Sequence, residues 1–281
     1  MEPLVSIIIT TRNEEKNILN CLESVNNQTY KKIEILVVDN FSIDNTKKTS
    51  LDFFKKKGIK NFKFCDFGNE RSSQRNFGAQ KANGKYYLYL DADMILSPNI
   101  IHECVQKFET KKNKNLTGLY IPEIIKGYSF WNRVRKFERS FYDGTAIDCV
   151  RFVPLEKFKK VQGFDETLIG PEDWDFDKKI RQLGETKITK ASLYHNEIGF
   201  SLKKYLEKKK YYGLSFQKYI NKWGKDDPDI KKQFSPYYRF FIVFVENGKW
   251  MKIFRHPILT LGMYFLRFLI GLQFILSSNK E

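Results

Sequence analysis

The chain has 281 residues, which at about 150 residues per domain favours one large domain or two modest ones. It is 42% hydrophobic, with 25 phenylalanines, and its net charge is +16 from 49 Lys and Arg against 33 Asp and Glu. Intrinsic disorder is thereby excluded, because a disordered chain combines high net charge with few apolar residues.

In chain order, Val5 to Thr10 is a β-branched apolar run. It is followed by the polar cluster Thr11-Arg12-Asn13-Glu14, and then by Ile18, Leu19, Leu22 and Val25 at helical spacing. The cycle repeats: a strand over 33–38, a turn-rich loop over 39–45, a helix over 46–57, a strand over 62–65, a helix over 72–82 and a strand over 86–90. Alternating strands and helices imply an α/β fold with a parallel sheet. Continuous apolar strands such as Ile7-Ile8-Ile9 suit a sheet covered on both faces. Ligands of such folds bind at the carboxyl ends of the strands.

Beyond Asp93 the spacing predicts a helix over 99–110, a strand over 116–121, an aromatic-basic helix over 130–142 and a strand over 150–153. A turn at Gly163-Phe164-Asp165-Glu166, a helix over 172–183 and a strand ending at Tyr194-His195 complete the α/β pattern. Helical patterns dominate from Ser201, so we expect a catalytic domain over 1–200 and an accessory segment over 201–281. The accessory segment carries 16 Lys and Arg against 6 Asp and Glu, a surplus of 10. A basic, aromatic-rich segment suits nucleic acid or an anionic membrane surface, or simply forms solvated helix faces.

Cys21, Cys65, Cys104 and Cys149 form no C-x-x-C pair and no grouping with the three histidines. Neither a zinc site nor a disulfide framework is indicated, and a reducing compartment is expected. The strand-like run begins directly after the first residues, without a basic region and apolar core ahead of it, so no signal peptide is expected.

Chemistry concentrates at the strand ends. Asp91-Ala92-Asp93 follows the strand over 86–90. Alternate carboxylates there can hold Mg²⁺ or Mn²⁺ against a diphosphate, or serve as a loop and capping cluster. Thr10 to Glu14 and Asp39 to Ser42 end the first two strands and face the same crevice. They suit ribose hydroxyls and base edges, and Asn13 or Ser42 can also cap the next helix. Arg75, in the helix before the D-x-D strand, can reach a phosphate or form a surface ion pair. Glu172-Asp173 offers a carboxylate able to accept a proton from an attacking hydroxyl, and acidic residues in a first helical turn also stabilise the helix dipole. His195 is either a third metal ligand or a hydrogen-bonded structural residue.

Taken together, these segments resemble the family 2 glycosyltransferases of GT-A fold over about residues 3–200. The resemblance rests on Val5 to Glu15, Ile35 to Thr46, Arg75-Asn76-Phe77-Gly78-Ala79, Leu88-Tyr89-Leu90-Asp91-Ala92-Asp93, and Gly163 to Glu166 leading to Glu172-Asp173-Trp174-Asp175. It implies a Rossmann-like, mainly parallel sheet and inverting transfer of a sugar from a nucleotide-diphosphate sugar such as a UDP- or GDP-sugar. Thr10, Arg12, Glu14, Asp39 and Arg75 then bind the nucleotide, with Asp91 at its diphosphate. Asp91, Asp93 and His195 hold Mn²⁺ or Mg²⁺, and Asp173 is the base beside Glu172. Thr11 stands where the family often has proline, and no Q-x-x-R-W block of the processive synthases is present.

Within the tail, Pro257 to Leu276 has the length of a membrane span but carries Arg267 near its middle, where a charge costs about 2.5–3.5 kcal/mol. Thr260, Tyr264, Arg267 and Gly271 share one stripe, with Leu261, Phe265, Phe268 and Leu272 elsewhere. We read a membrane-associating helix lying in the interface plane, with basic residues toward anionic headgroups; a buried helix and a single span are the alternatives. The expected acceptor is a lipid-linked saccharide at the cytoplasmic side of the cell membrane. Polyprenyl phosphate as acceptor and a catalytically silent membrane adaptor are the other readings. No RNA-binding signature accompanies the basic residues, so no nucleic-acid partner is expected.

Overall fold

The computed structural model describes residues 2–278, and side-chain surroundings up to residue 273. In chain order its elements begin with β1 (Val5–Thr11), α1 (Ile18–Asn26), β2 (Ile33–Asp39), α2 (Thr46–Lys57), β3 (Phe62–Asp66), α3 (Arg71–Lys81) and β4 (Tyr86–Asp91). Then come β5 (Met94–Leu96), α4 (Ile100–Glu109), β6 (Leu116–Tyr120), β7 (Glu123–Lys126), α5 (Phe130–Arg139), β8 (Phe152–Pro154), α6 (Leu155–Lys160), α7 (Glu172–Arg181), β9 (Glu185–Ile188) and β10 (Leu193–Asn196). The remainder is helical: α8 (Leu202–Gly213), α9 (Phe216–Trp223), α10 (Pro228–Phe234), a π-helical turn over Tyr238–Ile242, α11 (Val243–Val245), α12 (Met251–Arg255) and α13 (Pro257–Ser278).

These elements group into two compact units that interleave along the chain. The first comprises 1–123, 149–166 and 176–196; the second comprises 124–148, 167–175 and 197–281. In the first unit a seven-stranded sheet runs in the order β3-β2-β1-β4-β8-β6-β9. β1 pairs in parallel with β2 and β4, β2 in parallel with β3, and β6 in parallel with β9; β8 is antiparallel to both β4 and β6. The sheet is thus mainly parallel. Every residue of β1 is buried, as an apolar strand covered on both faces must be.

Two cores sandwich this sheet. One includes Ile7, Ile9, Leu22, Val37, Leu88 and Ile101, and the other includes Ile8, Val38, Tyr89, Phe164 and Phe176. Alternation along β1 sends Ile7 and Ile9 to one side and Ile8 to the other, which is the period-2 rule of a strand. Each such side chain stabilises the fold by about 1.5–3 kcal/mol when fully buried. Glu34 is a charged residue within the apolar run of β2. It is buried, but accepts hydrogen bonds from Ser6 Oγ, from the backbone N–H of Asn83 (2.6 Å) and Gly84 (3.2 Å), and from Asn83 Nδ2 (3.1 Å).

The second unit is helical. Its core gathers Val134, Phe137 and Phe141 with Tyr238, Phe244, Met263 and Leu266. α5 starts at a capping box in which Ser129 and Asn132 satisfy each other's backbone, and α10 starts with Asp227 as cap and Pro228 in the first turn. Along α13, Ile258, Leu261, Phe265, Phe268 and Leu272 are exposed, whereas Thr260, Met263, Leu266 and Arg267 are buried. The expectation that Arg267 turns outward is therefore corrected: its Nε donates to Glu138 Oε1 (2.9 Å), and this partner draws the polar stripe inward. Among the described residues no helix is long and apolar enough to cross a membrane.

Strands β5, β7 and β9 and the short helix α6 have no counterpart in the sequence expectations. At three to six residues, such elements show too little periodicity to be recognised.

Candidate active site

The sheet changes its direction of growth at β1, which is flanked by β2 on one side and by β4 on the other. Such a switch opens a crevice beyond the strand ends. Thr10 and Asp91 are register partners there, and Thr10 Oγ1 donates to Asp91 Oδ1 at 3.0 Å. Arg75 Nη2 donates to the same oxygen at 2.9 Å, and Arg71 Nη1 stands 3.9 Å from Oδ2. Burial alone would raise the Asp91 pKa, but Arg75, Arg71 and Arg151 outweigh it and hold the carboxyl well below the usual range.

Arg75 is completely enclosed. Its guanidinium lies 4.4 Å from the Tyr89 ring centroid and 5.0 Å from that of Phe164. Arg71, half-buried beside it, was not singled out by sequence reasoning. It opens α3 in the same run as Arg75, and position in the first turn of a helix aimed at the strand ends was the available signal.

On the following turn Ala92 N donates to Thr10 O, holding Asp91-Ala92-Asp93 against β1. Asp93 Oδ2 lies 3.0 Å from His195 Nε2, and His195 Nδ1 lies 2.9 Å from Glu123 Oε1. Glu123 Oε2 in turn accepts from Arg151 Nη2 at 3.1 Å. Burial works against protonation of His195, yet Asp93 and Glu123 prevail and push its pKa up to about 10. The antiparallel pairing of β10 with β5 sets His195 opposite Met94, next to Asp93. Glu123 and Arg151 were missed because they lie outside any motif and meet the site only through tertiary pairing.

The first two loops are tied together. Asn13 N donates to Ser42 Oγ (2.7 Å), Ile43 N to Asn13 Oδ1 (2.9 Å), and Glu15 N to Asp44 Oδ2 (3.1 Å). Asp39, buried, accepts from Ser42 N (2.7 Å) and Ser42 Oγ (2.6 Å). Arg12 is exposed. Glu14 is half-buried; its N–H donates to Thr46 Oγ1 (2.8 Å), and its carboxylate accepts from Asn17 Nδ2 (2.7 Å). Gln74 braces both strand ends, donating to Thr11 O (3.0 Å) and Val38 O (2.6 Å).

Thr10, Arg12, Glu14, Asp39, Arg75, Asp91, Asp93 and His195 thus belong to the first unit, whereas Glu172 and Asp173 belong to the second. Glu172 is buried and accepts from Gly170 N at 2.5 Å, and Asp173 is half-buried in the first turn of α7. Among the described residues no three His, Cys, Asp or Glu side chains are already arranged as a cation cage. The donor chemistry nevertheless fits a divalent cation: Asp93 Oδ1 is buried with no hydrogen-bond partner, beside a carboxylate and imidazole set of the kind that Mn²⁺ accepts.

A mainly parallel sheet with a carboxylate turn at its switch point defines an α/β fold of the nucleotide-binding kind. Residues 6–157 match the family described as glycosyl transferase family 2, and the chain belongs to that family. An uncharacterized glycosyltransferase of Rickettsia bellii is 30% identical over 70% of this chain and 31% of its own length. A dolichyl N-acetyl-alpha-D-glucosaminyl phosphate 3-beta-D-2,3-diacetamido-2,3-dideoxy-beta-D-glucuronosyltransferase of Methanococcus voltae is 26% identical over 75% of this chain and 72% of its own. The chain therefore spans about a third of the length of one relative and under three quarters of the other. Among solved structures, a mannosyltransferase of Pyrobaculum calidifontis in complex with GDP-Man and Mn²⁺ superposes with a TM-score of 0.66 at 18% identity. That match covers 100% of this chain and 87% of the other, and it shows a shared fold.

Proposed function

We propose that the protein is an inverting glycosyltransferase that moves a sugar from a nucleotide-diphosphate sugar, of UDP or GDP type, to a lipid-linked saccharide. The observation that carries this reading is the turn Asp91-Ala92-Asp93, held by Thr10, Arg75 and His195 at the sheet's switch point. Thr10, Arg12, Glu14 and Asp39 bind the nucleoside, and Arg75 acts on the diphosphate by fixing Asp91. Asp91 and Asp93 would hold Mn²⁺ or Mg²⁺, and His195 would join them as a ligand on giving up the Nε2 proton that now faces Asp93. When bound, such a cation neutralises charge developing on the leaving diphosphate.

Asp173, supported by Glu172, accepts the proton of the attacking acceptor hydroxyl, and no covalent glycosyl-enzyme is required. Residues 1–200 carry the chemistry and 201–281 the accessory role. The exposed row Ile258, Leu261, Phe265, Phe268 and Leu272 supports attachment to a membrane surface, with the apolar side of α13 in the interface; the surface we propose is the cytoplasmic face of the cell membrane. A lipid-linked acceptor is supported by the dolichyl-phosphate-linked acceptor in the name of the Methanococcus relative.

The test is turnover of UDP- and GDP-sugars with Mn²⁺ or Mg²⁺ and membrane extract. Asp91→Asn and Asp93→Asn are each expected to lower turnover about 100-fold or more while the chain stays folded. Full metal-dependent turnover in both variants would sink the site assignment, and no turnover of any donor by the wild type would favour a silent adaptor.

A further inference from the structure

The second unit contains a cluster of cations that its own carboxylates do not neutralise. Arg135 and Glu138 come from α5, Lys209 from α8, Arg239 from the π-helical turn and Arg267 from α13, with Glu197 just before α8. Glu197 takes Arg135 in two contacts, Nη2 to Oε1 at 2.6 Å and Nε to Oε2 at 3.2 Å. Glu138 takes Arg267 Nε at 2.9 Å, with Arg135 Nη1 3.9 Å from its other oxygen. Tyr142 OH bridges Glu138 and Arg267 at 2.5 Å on each side. Two carboxylates are thereby matched to two arginines.

Lys209 and Arg239 are left over. Among the described residues neither has an ion-pair partner; Lys209 lies over the Tyr205 and Tyr212 rings (5.3 and 5.7 Å), and Arg239 over Trp174 (5.9 Å). Both are half-buried and so accessible from outside. Arg267 is 6% exposed, and its Nη1 is buried with no hydrogen-bond partner. The electrostatics agree with the geometry: burial, then repulsion from Arg135 and Arg239, lowers Lys209 to about 7, and burial together with Arg267 holds Arg239 below its usual value. Cations left unmatched in a partly buried place are unfavourable unless an anion completes the set.

We infer that this cluster is a binding site for a phosphate-class anion, a phosphate ester or a diphosphate, recognised by the unmatched Lys209 and Arg239 together with the unsatisfied Nη1 of Arg267. Two surplus cations match the charge of a phosphate ester better than that of a single carboxylate. The planar guanidinium supplies paired donors to phosphate oxygens, and the ammonium a point charge. The flanking aromatic rings keep the site low in dielectric, which strengthens each contact. The anion comes either from a soluble phosphate or from the head of a lipid. The site does not depend on the donor reading above.

The test is calorimetric titration of the full chain in EDTA, which removes divalent cations, with inorganic pyrophosphate, farnesyl phosphate and neutral farnesol as probes. Pyrophosphate or farnesyl phosphate is expected to bind wild type and farnesol to bind far more weakly. Lys209→Gln and Arg239→Gln are each expected to weaken binding about tenfold, the loss of one charge-assisted contact. The melting temperature of each variant without ligand is expected to equal or exceed that of wild type, because like-charge repulsion is relieved; a merely structural role predicts a fall. Tighter binding of farnesyl phosphate than of pyrophosphate assigns a lipid ester, and the reverse assigns a soluble phosphate. Equal binding by wild type and both variants, or binding of neither phosphate by wild type, overturns the site. Asp91→Asn is expected to leave this binding intact, so that the donor reading and the anion site fail separately.

Discussion

Arg75 Nη2 meets Asp91 Oδ1 at 2.9 Å, although Arg75 itself has no exposed surface. A cation so enclosed is costly unless paired, and the same pairing fixes the direction of the carboxylate at the strand end. Replacing Arg75 by Met leaves Asp91 without its nearest cation and keeps the side-chain volume. The expected loss is about 3–5 kcal/mol of stability, the range for breaking a buried pair, read as a lower urea midpoint. Arg71→Gln, at a half-buried position 3.9 Å from the other oxygen, is expected to cost under about 1 kcal/mol in the same measurement.

Glu34 predicts the response to acid. Burial would raise its pKa, but hydrogen bonds from Ser6 and Asn83 outweigh that and lower it. A carboxyl depressed in the folded state contributes stability above its unfolded pKa, near 4.5, and that contribution is lost as pH falls through the lower folded value. Glu34→Gln is therefore expected to reduce stability at pH 7 and to flatten its decline below about pH 4.5. Urea denaturation at pH 7 and at pH 3 checks this: an equal deficit at both values would contradict the role of the charge.

Gly78 is expected to reject a methyl group. A Cβ there would stand 2.6 Å from Ile8 Cγ2 and 2.7 Å from Cγ1, at the packing of α3 on β1. Alanine gains up to about 1 kcal/mol of helix propensity over glycine, but overpacking of a tight core costs about 1–3 kcal/mol. Gly78→Ala is expected to lower the melting temperature, and Ile8→Val in the same chain to restore part of it.

In the second unit, Glu138→Gln removes the carboxylate shared by Arg267 and Arg135. Burial opposes ionisation of Glu138, and those two arginines reverse the balance and lower its pKa. The variant leaves Arg267 buried without its anion, a loss of about 3–5 kcal/mol. Replacing both partners, Glu138→Gln with Arg267→Met, is expected to recover much of that loss. The double variant's unfolding midpoint decides whether the penalty lies in the unpaired charge or in packing.

The α/β class, the first four strands with their helices, and the turn Asp91-Ala92-Asp93 were legible in the sequence. Each has several residues in strict period, and adjacent carboxylates at a strand end need no tertiary information to be recognised.

Tertiary structure alone decided which charges meet. His195 is 102 positions from Asp93 and 72 from Glu123, and Arg267 is 129 positions from Glu138. No spacing rule reaches that far. The sequence established that α13 has a polar and an apolar stripe, because periodicity is local. Which stripe faces inward was settled by the buried carboxylate of α5, since an ion pair sequestered from water outweighs the preference of an arginine for the surface only where its partner is already in place.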